Sequence, residues 1–223
     1  MGRLISVVVP AYNEGENLEE MLVSIVGQDY PHKEIIVVDN NSKDDTVEIA
    51  RKFADVVLNE DRQGASFARY RGFLAARGEI IASADADTIY PRAWLSKIDR
   101  YLQGDVVGVY GSLDSNHTVT NKLYHSFAAL NKAIGFPQCA GSNLAFKTKY
   151  LDGFRARYPI GEDIMLAKHL QKKGPVVYKP EIQVQVSDRR LRQSTLKTFY
   201  QYGLNYCSLM FFDKPYGKLD VVR

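Results

Sequence analysis

Cysteine is scarce in this chain of 223 residues: Cys139 and Cys207 lie far apart and form no CxxC pair. They offer nothing toward a disulfide framework or a zinc module, and a reducing, cytoplasmic setting is the expectation. No apolar run reaches the length of about 18 residues that a membrane-spanning helix needs. The opening stretch, "MGRLISVVVPAYNE", passes from one arginine into a short apolar run and a polar turn. It lacks the longer apolar core and the cleavage site of a signal peptide. His32, His117, His125 and His169 show no ligand spacing. No G-x-G-x-x-G follows the first apolar run, which argues against a nicotinamide-dependent oxidoreductase. The net charge of +3 is too small to point to nucleic acid. Repeats, low-complexity segments and an interdomain linker are also missing.

What is present is an alternation. "LISVVVP" (4–10), "HKEIIVVDNNS" (32–42), "DVVLNE" (55–60) and "EIIASADAD" (79–87) read as buried, mostly valine- and isoleucine-rich strands. Between them lie helical patterns: Leu18, Met21, Leu22, Ile25 and Val26, then "DDTVEIARKFA" (44–54), then "GASFARYRGFLAARG" (64–78), with Gly78 as its stop. Strand and helix alternating in this way predict an α/β domain with a mostly parallel central sheet flanked by helices, Rossmann-like in outline. Further on, helices are expected at 91–102, 120–135, 161–174 and 193–206, and strands at 105–113, 140–151 and 175–187. The chain reads as one domain, residues 1–110 forming a nucleotide-binding half and 111–223 an acceptor-binding half with a basic C-terminal segment.

In such sheets ligands bind beyond the carboxyl ends of the strands. Three polar turns fall there: Pro10-Ala11-Tyr12-Asn13-Glu14, Asp39-Asn40-Asn41-Ser42 and Asp85-Ala86-Asp87. The two carboxylates of the last turn repel one another and call for a positive partner. Hard oxygen ligands at this spacing suit Mg²⁺ or Mn²⁺, though an isolated acidic turn can simply be solvated. Asp39 can accept hydrogen bonds from a base or ribose, or can shape its own turn. Tyr12 can stack on a base and Glu14 can bond a ribose, while Asn13 is as well suited to capping the next helix. Glu162 and Asp163 open a predicted helix, where the helix dipole should lower the pKa of Asp163. Gly141 and Ser142 precede a predicted strand, where glycine permits close approach of a ligand. Arg189, Arg190 and Arg192 could grip a diphosphate, face an anionic membrane, or be solvated. Trp94 reads as packing first, with stacking on a sugar as its other use.

Taken together, "VVVPAYNEGENLEEML", "VDNNSKDDT", "RYRGFLAARGEIIASADADT", "GSNLAF" and "GED" resemble a family 2 glycosyltransferase with a GT-A fold, from Ser6 to about Leu170. The resemblance implies a nucleotide-diphosphate sugar donor, a UDP- or GDP-sugar, and a glycan or lipid-linked acceptor. It implies metal ligation by Asp87 with Asp85, which also contacts the ribose or the metal, and base contact by Asp39. Pro10, Ala11, Tyr12, Glu14, Arg69, Ala86 and Arg190 then line the donor site, and Gly141 and Ser142 the sugar and acceptor pocket. Asp163 becomes the base of an inverting transfer, with Glu162 supporting it. Two departures stand out: Asn40 occupies a position where the family usually has a second acid, and Tyr70 replaces the asparagine of an Ala-Arg-Asn-x-Gly pattern.

Two rival functions share this outline. A sugar-nucleotide nucleotidyltransferase would carry a glycine-rich basic loop after the first strand, and "PAYNEGENLEE" is acidic. A non-catalytic nucleotide-sugar-binding module would not need Asp85, Asp87 and Asp163 together. The apolar run Leu209, Met210, Phe211, Phe212 leaves open a peripheral membrane contact, core packing or a dimer contact.

Overall fold

The computed structural model describes residues 2–115, 121, 140–187 and 196–216, with side chains from 203 onward in the last segment. All of the helix expected at 120–135 but residue 121, and the arginines at 189, 190 and 192, lie outside the described residues. The first half of the domain runs β1 (Ile5–Ala11), α1 (Leu18–Val26), β2 (Lys33–Asp39), α2 (Thr46–Phe53), β3 (Val56–Asn59), α3 (Ala65–Ala75) and β4 (Ile80–Ser83). The second runs β5 (Thr88–Ile89), α4 (Trp94–Tyr101), β6 (Gly108–Asp114), β7 (Leu144–Lys147), a 3₁₀ turn (Thr148–Leu151), α5 (Glu162–Gln171), β8 (Val176–Val186) and α6 (Leu196–Phe212).

These strands form one sheet in the order β3-β2-β1-β4-β7-β6-β8-β5. From β3 to β4 every neighbour is parallel, as the alternation of strands and helices demands. Beyond β4 the sheet is mixed: β7 runs antiparallel to both β4 and β6, β8 is parallel to β6, and β5 is antiparallel to β8. The parallel strands are buried on both faces, which is why their sequences are continuous apolar runs. Val7, Val9, Ile35, Val37, Ile80 and Ala82 pack with α1 and α4 on one side. Val8, Ile36, Val38 and Ile81 pack with Phe73, Phe146 and Leu170 on the other.

Two glycines are dictated by close approach. Gly78 is not the stop of α3, whose last helical residue is Ala75. It lies where a Cβ would come within 2.7 Å of the Leu4 carbonyl, and its N–H donates to Ser6 Oγ at 2.8 Å. Gly111 sits at a bulge: it faces Lys179, whereas the next residue, Ser112, faces Gln183. Pro180, which has no N–H for the ladder, lies in the looped-out stretch, and its carbonyl accepts from Ser112 Oγ at 2.7 Å.

The C-terminal helix extends past its expected end at 206 to Phe212 and carries the apolar run with it. Leu209 is buried against Gly161, whereas Phe211 and Phe212 are 70% and 73% exposed. Lys168 of α5 donates to the Met210 carbonyl at 2.8 Å, tying the two helices together. No helix among the described residues is long and apolar enough to cross a membrane.

A Cβ on residue 111 would lie 1.6 Å from the Ile182 carbonyl oxygen and 2.6 Å from Asn143 Nδ2. The obstacle is backbone and cannot swing away. Gly111→Ala should therefore cost at least the roughly 1–3 kcal/mol typical of overpacking, read as a lowered midpoint in urea. An unchanged midpoint would mean that β8 shifts freely there.

Candidate active site

The parallel register sets the site. Ala11 lies beside Asp39, and Val8 beside Ser83, so the turns after β1, β2 and β4 leave the same edge of the sheet. The Ala84 N–H donates to the Val8 carbonyl at 3.0 Å and carries the last turn back over β1.

Arg69 is the positive partner that the acidic turn requires. It projects from the middle of α3 and is only 4% exposed. Its Nη2 donates to Asp85 Oδ1 at 2.5 Å, and its Nε to Glu162 Oε1 at 2.8 Å. Its Nη1 donates to Ser83 Oγ at 2.7 Å and to the carbonyls of Ala84 and Gly141 at 2.9 and 3.1 Å. Arg69 is therefore no solvated arginine of the helix surface but part of the interior. Burial disfavours the guanidinium charge, but Asp85 and Glu162 outweigh it and raise the pKa. A Cβ at 141 would stand 2.9 Å from Arg69 Nη2, so glycine there makes room for this hub.

Tyr90 supplies a second strut. Its hydroxyl accepts from the Asp85 N–H at 2.9 Å and donates to the Ser142 carbonyl at 2.8 Å. Burial pushes its pKa well above the ordinary phenol value. Its ring lies 4.2 Å from that of Trp94, whose Nε1 donates to Asn143 Oδ1 at 2.9 Å. Trp94 thus packs, and Asn143 shapes its loop by donating to the Ser112 and Ile182 carbonyls at 3.0 and 2.8 Å.

The far side of the cleft is built from the first two turns. Asp39 is buried and accepts from the Ser42 N–H, at 3.2 and 3.3 Å from its two oxygens. Tyr12 is half-buried beside it, and Glu14 is buried, accepting from Asn17 Nδ2 at 2.9 Å. Asn13 does not cap a helix: α1 begins at Leu18, with Asn17 at its N-terminal boundary. Instead Asn13 has φ +50° and bridges two turns, accepting from the Lys43 N–H at 2.8 Å. Asn40 uses chemistry that the usual acid lacks: its Nδ2 donates to the carbonyls of Glu60 and Arg62 at 2.7 and 2.9 Å. Tyr70, the other departure, donates from its hydroxyl to the Phe154 carbonyl at 3.1 Å.

Glu162 and Asp163 form the first turn of α5, behind Gly161 with φ +78°. Glu162 also accepts from Ser66 Oγ. Asp163 is half-buried, and its Oδ1 accepts from the Ile164 N–H at 2.8 Å. Its pKa is not lowered, as the helix dipole alone would have it. Loss of solvent raises it from 3.8 to about 7, with the charges of Glu162 and Asp85 adding and that of Arg69 opposing. A carboxyl that exchanges its proton near neutrality is suited to general base work.

Asp85 and Asp87 are the residues that could hold a divalent cation. No group of three or more histidine, cysteine or acidic side chains forms a closed metal site among the described residues. Two hard carboxylates fit the mode in which Mg²⁺ or Mn²⁺ keeps positions for substrate phosphates and water. Sequence reasoning missed Ser66, Ser83 and Tyr90. Ser66 had a signal: it stands three residues before Arg69, on the same face of α3.

The family model described as Glycosyl transferase family 2 matches residues 6–158. Glycosyltransferase AglE of Haloferax volcanii is 35% identical over 115 residues, 48% of this chain and 38% of its own length. The dolichol-phosphate mannosyltransferase of Pyrococcus furiosus is 27% identical over 237 residues, 97% of this chain and 65% of its own length. The chain thus spans less than two thirds of either relative. Among solved structures, the mannosyltransferase PcManGT of Pyrobaculum calidifontis, in complex with GDP-Man and Mn²⁺, is similar with a TM-score of 0.69 at 25% identity, over 83% of this chain and 57% of that one. Glucosyl-3-phosphoglycerate synthase of Mycobacterium tuberculosis, in complex with phosphoglyceric acid, gives 0.73 at 21% identity, over 94% of this chain and 79% of that one. The GT-A architecture implied by the motifs is the one these neighbours share.

With a folded pKa near 7 and an ordinary value of 3.8, Asp163 binds more protons in the folded state between those two pH values. Raising the pH through that window therefore destabilises the fold through this group; the penalty is absent below the lower value and full above the upper one. Asp163→Asn should raise the melting temperature relative to the native chain, by an amount that grows from about pH 4 to about pH 7 and is then constant. A difference that is flat over this range would refute the shift.

Proposed function

The chain belongs to glycosyl transferase family 2, and from that premise we propose that it transfers a sugar, with inversion, from a nucleotide-diphosphate sugar to an acceptor hydroxyl. The observation that carries this reading is the buried Arg69, ion-paired at once to the acidic turn after β4 and to the acid pair that opens α5. One residue holds together the place for a diphosphate and the place for a base.

The nucleoside lies across the turns after β1 and β2, against Pro10, Ala11 and Tyr12, with Glu14 and Asp39 as acceptors. The diphosphate reaches Asp85, Ala86 and Asp87, and the sugar faces Gly141 and Ser142. Asp163 takes the acceptor's proton. The acceptor oxygen bonds to the anomeric carbon from the face opposite the diphosphate, the carbon–oxygen bond to the diphosphate breaks, and the electron pair leaves with the nucleoside diphosphate. Mg²⁺ or Mn²⁺ held by Asp87 with Asp85 would supply charge compensation for that leaving group. GDP-Man and Mn²⁺ in PcManGT support a guanosine donor as the first to test. A lipid-linked acceptor is supported by the name of the Pyrococcus relative. A contact of Arg190 with the diphosphate and a peripheral membrane contact remain part of this proposal.

Melting curves with GDP or UDP, each with Mn²⁺, Mg²⁺ or EDTA, test the donor site. One nucleotide should raise the melting temperature in a metal-dependent way, and Asp87→Ala should abolish that rise. No shift with either nucleotide at millimolar concentration would sink the donor site.

Asp163→Asn should keep the nucleotide-induced shift and lose transfer by about 10²–10⁴-fold, the usual worth of a general base. In the native chain kcat/KM should rise with pH and level off above about 7, because Asp163 must be ionised to accept the proton. Transfer retained in Asp163→Asn would remove it from the base role.

A further inference from the structure

Glu162 and Asp163 are adjacent acids of the same helix turn, yet their surroundings are unlike. Glu162 is 7% exposed and has a donor on each oxygen: Arg69 Nε on Oε1 at 2.8 Å, and Ser66 Oγ on Oε2. Its carboxyl group is clamped against rotation. Asp163 is half-buried, and its one hydrogen bond among the described residues is the Ile164 N–H on Oδ1. No such partner falls on its Oδ2.

Ser66 is fully buried in the first turn of α3, where its N–H donates to the Pro159 carbonyl at 3.2 Å. It therefore grips the start of α5 twice, by backbone at Pro159 just before the helix and by side chain at Glu162 within it. Gly64 helps: it has φ +143°, and a Cβ there would stand 2.5 Å from Pro159 Cβ. An alanine at 66 would fit a helix at least as well. A buried hydroxyl is kept only where it has a partner, and here the partner is the carboxylate beside the base.

We propose that Ser66 is a positioning residue for the acid pair: with Arg69 it occupies both oxygens of Glu162, which fixes the first turn of α5 and leaves Asp163 as the acid of the pair open to the acceptor. The charge of Glu162 beside it raises the pKa of Asp163. Among the described residues, the charged groups acting on Asp163 are Glu162 from its own helix, Arg69 from α3 and Asp85 from the turn after β4. The inference deepens the transfer reading and rests on it for its purpose, but its test needs no substrate.

The experiment is carboxyl carbon NMR of the ligand-free chain between pH 5 and 9, with Glu162→Gln and Asp163→Asn used to assign the two signals. In the native chain the Asp163 carbon should titrate near 7. In Ser66→Ala that midpoint should move, because the turn that carries Asp163 is no longer held by the hydroxyl, and Ser66→Thr, which keeps a hydroxyl, should restore it. Ser66→Gly carries the same test if the alanine chain does not fold. An Asp163 midpoint unchanged by loss of the hydroxyl, or not restored by threonine, overturns the proposal. Loss of the transfer reading would look different: Asp163→Asn would remain active whatever the NMR shows.

Discussion

The site depends on one buried guanidinium. Arg69 joins three stretches that the chain brings from far apart: Asp85 after β4, Gly141 before β7 and Glu162 at the start of α5. A desolvated charge is retained only if its partners are well placed, and removing one partner of such a pair typically costs about 3–5 kcal/mol. The cost runs both ways here, because without Arg69 two carboxylates would face the same dry region. This explains why its whole fork of donors is used, and why Gly141 and Ser83 are small.

The parallel half of the fold was legible because its physics is local and redundant. Valine-rich runs such as 4–10 and 32–38 can be buried on both faces only in a parallel sheet with helices on each side. The carboxyl ends of those runs then mark the ligand edge, so the positions of Ala11, Asp39 and Asp85 followed from the register. The second half lacks that redundancy. Nothing in "LAFK" says that β7 runs antiparallel between β4 and β6, because direction is set by where the chain returns and not by composition. Gly78 looked like a helix stop, and its real constraint, the Leu4 and Ser6 backbone pressing on it, is a contact across the sheet. Asn13 looked like a cap, and its side chain instead bridges to Lys43.

Within the site, residue types were readable and their partners were not. Arg69 was visible as a motif arginine, but its choice of both Asp85 and Glu162 depends on α5 docking against α3. Tyr90 and Ser66 gave weaker signals, since a tyrosine after a strand and a serine in a first helical turn are ordinary placements. Their importance arises from the groups they meet. The two departures from the family pattern have local reasons. Asn40 donates to two carbonyls that a carboxylate would repel, and Tyr70 fastens the stretch leading to the acid pair.

The direction of the Asp163 shift follows from counting charges within that frame. A helix N-terminus favours an anion by typically 0.3–1 kcal/mol. Against this stand desolvation and two neighbouring carboxylates, with a single guanidinium in opposition. Arg69 is already committed to Asp85 and Glu162 at 2.5 and 2.8 Å, so its charge is largely neutralised before it reaches Asp163. Among the described residues, three carboxylates around one cation leave an excess of negative charge, and near neutral pH it is relieved by a proton on Asp163. The contacts that clamp Glu162 therefore belong to the same set of charges that raises the pKa of Asp163.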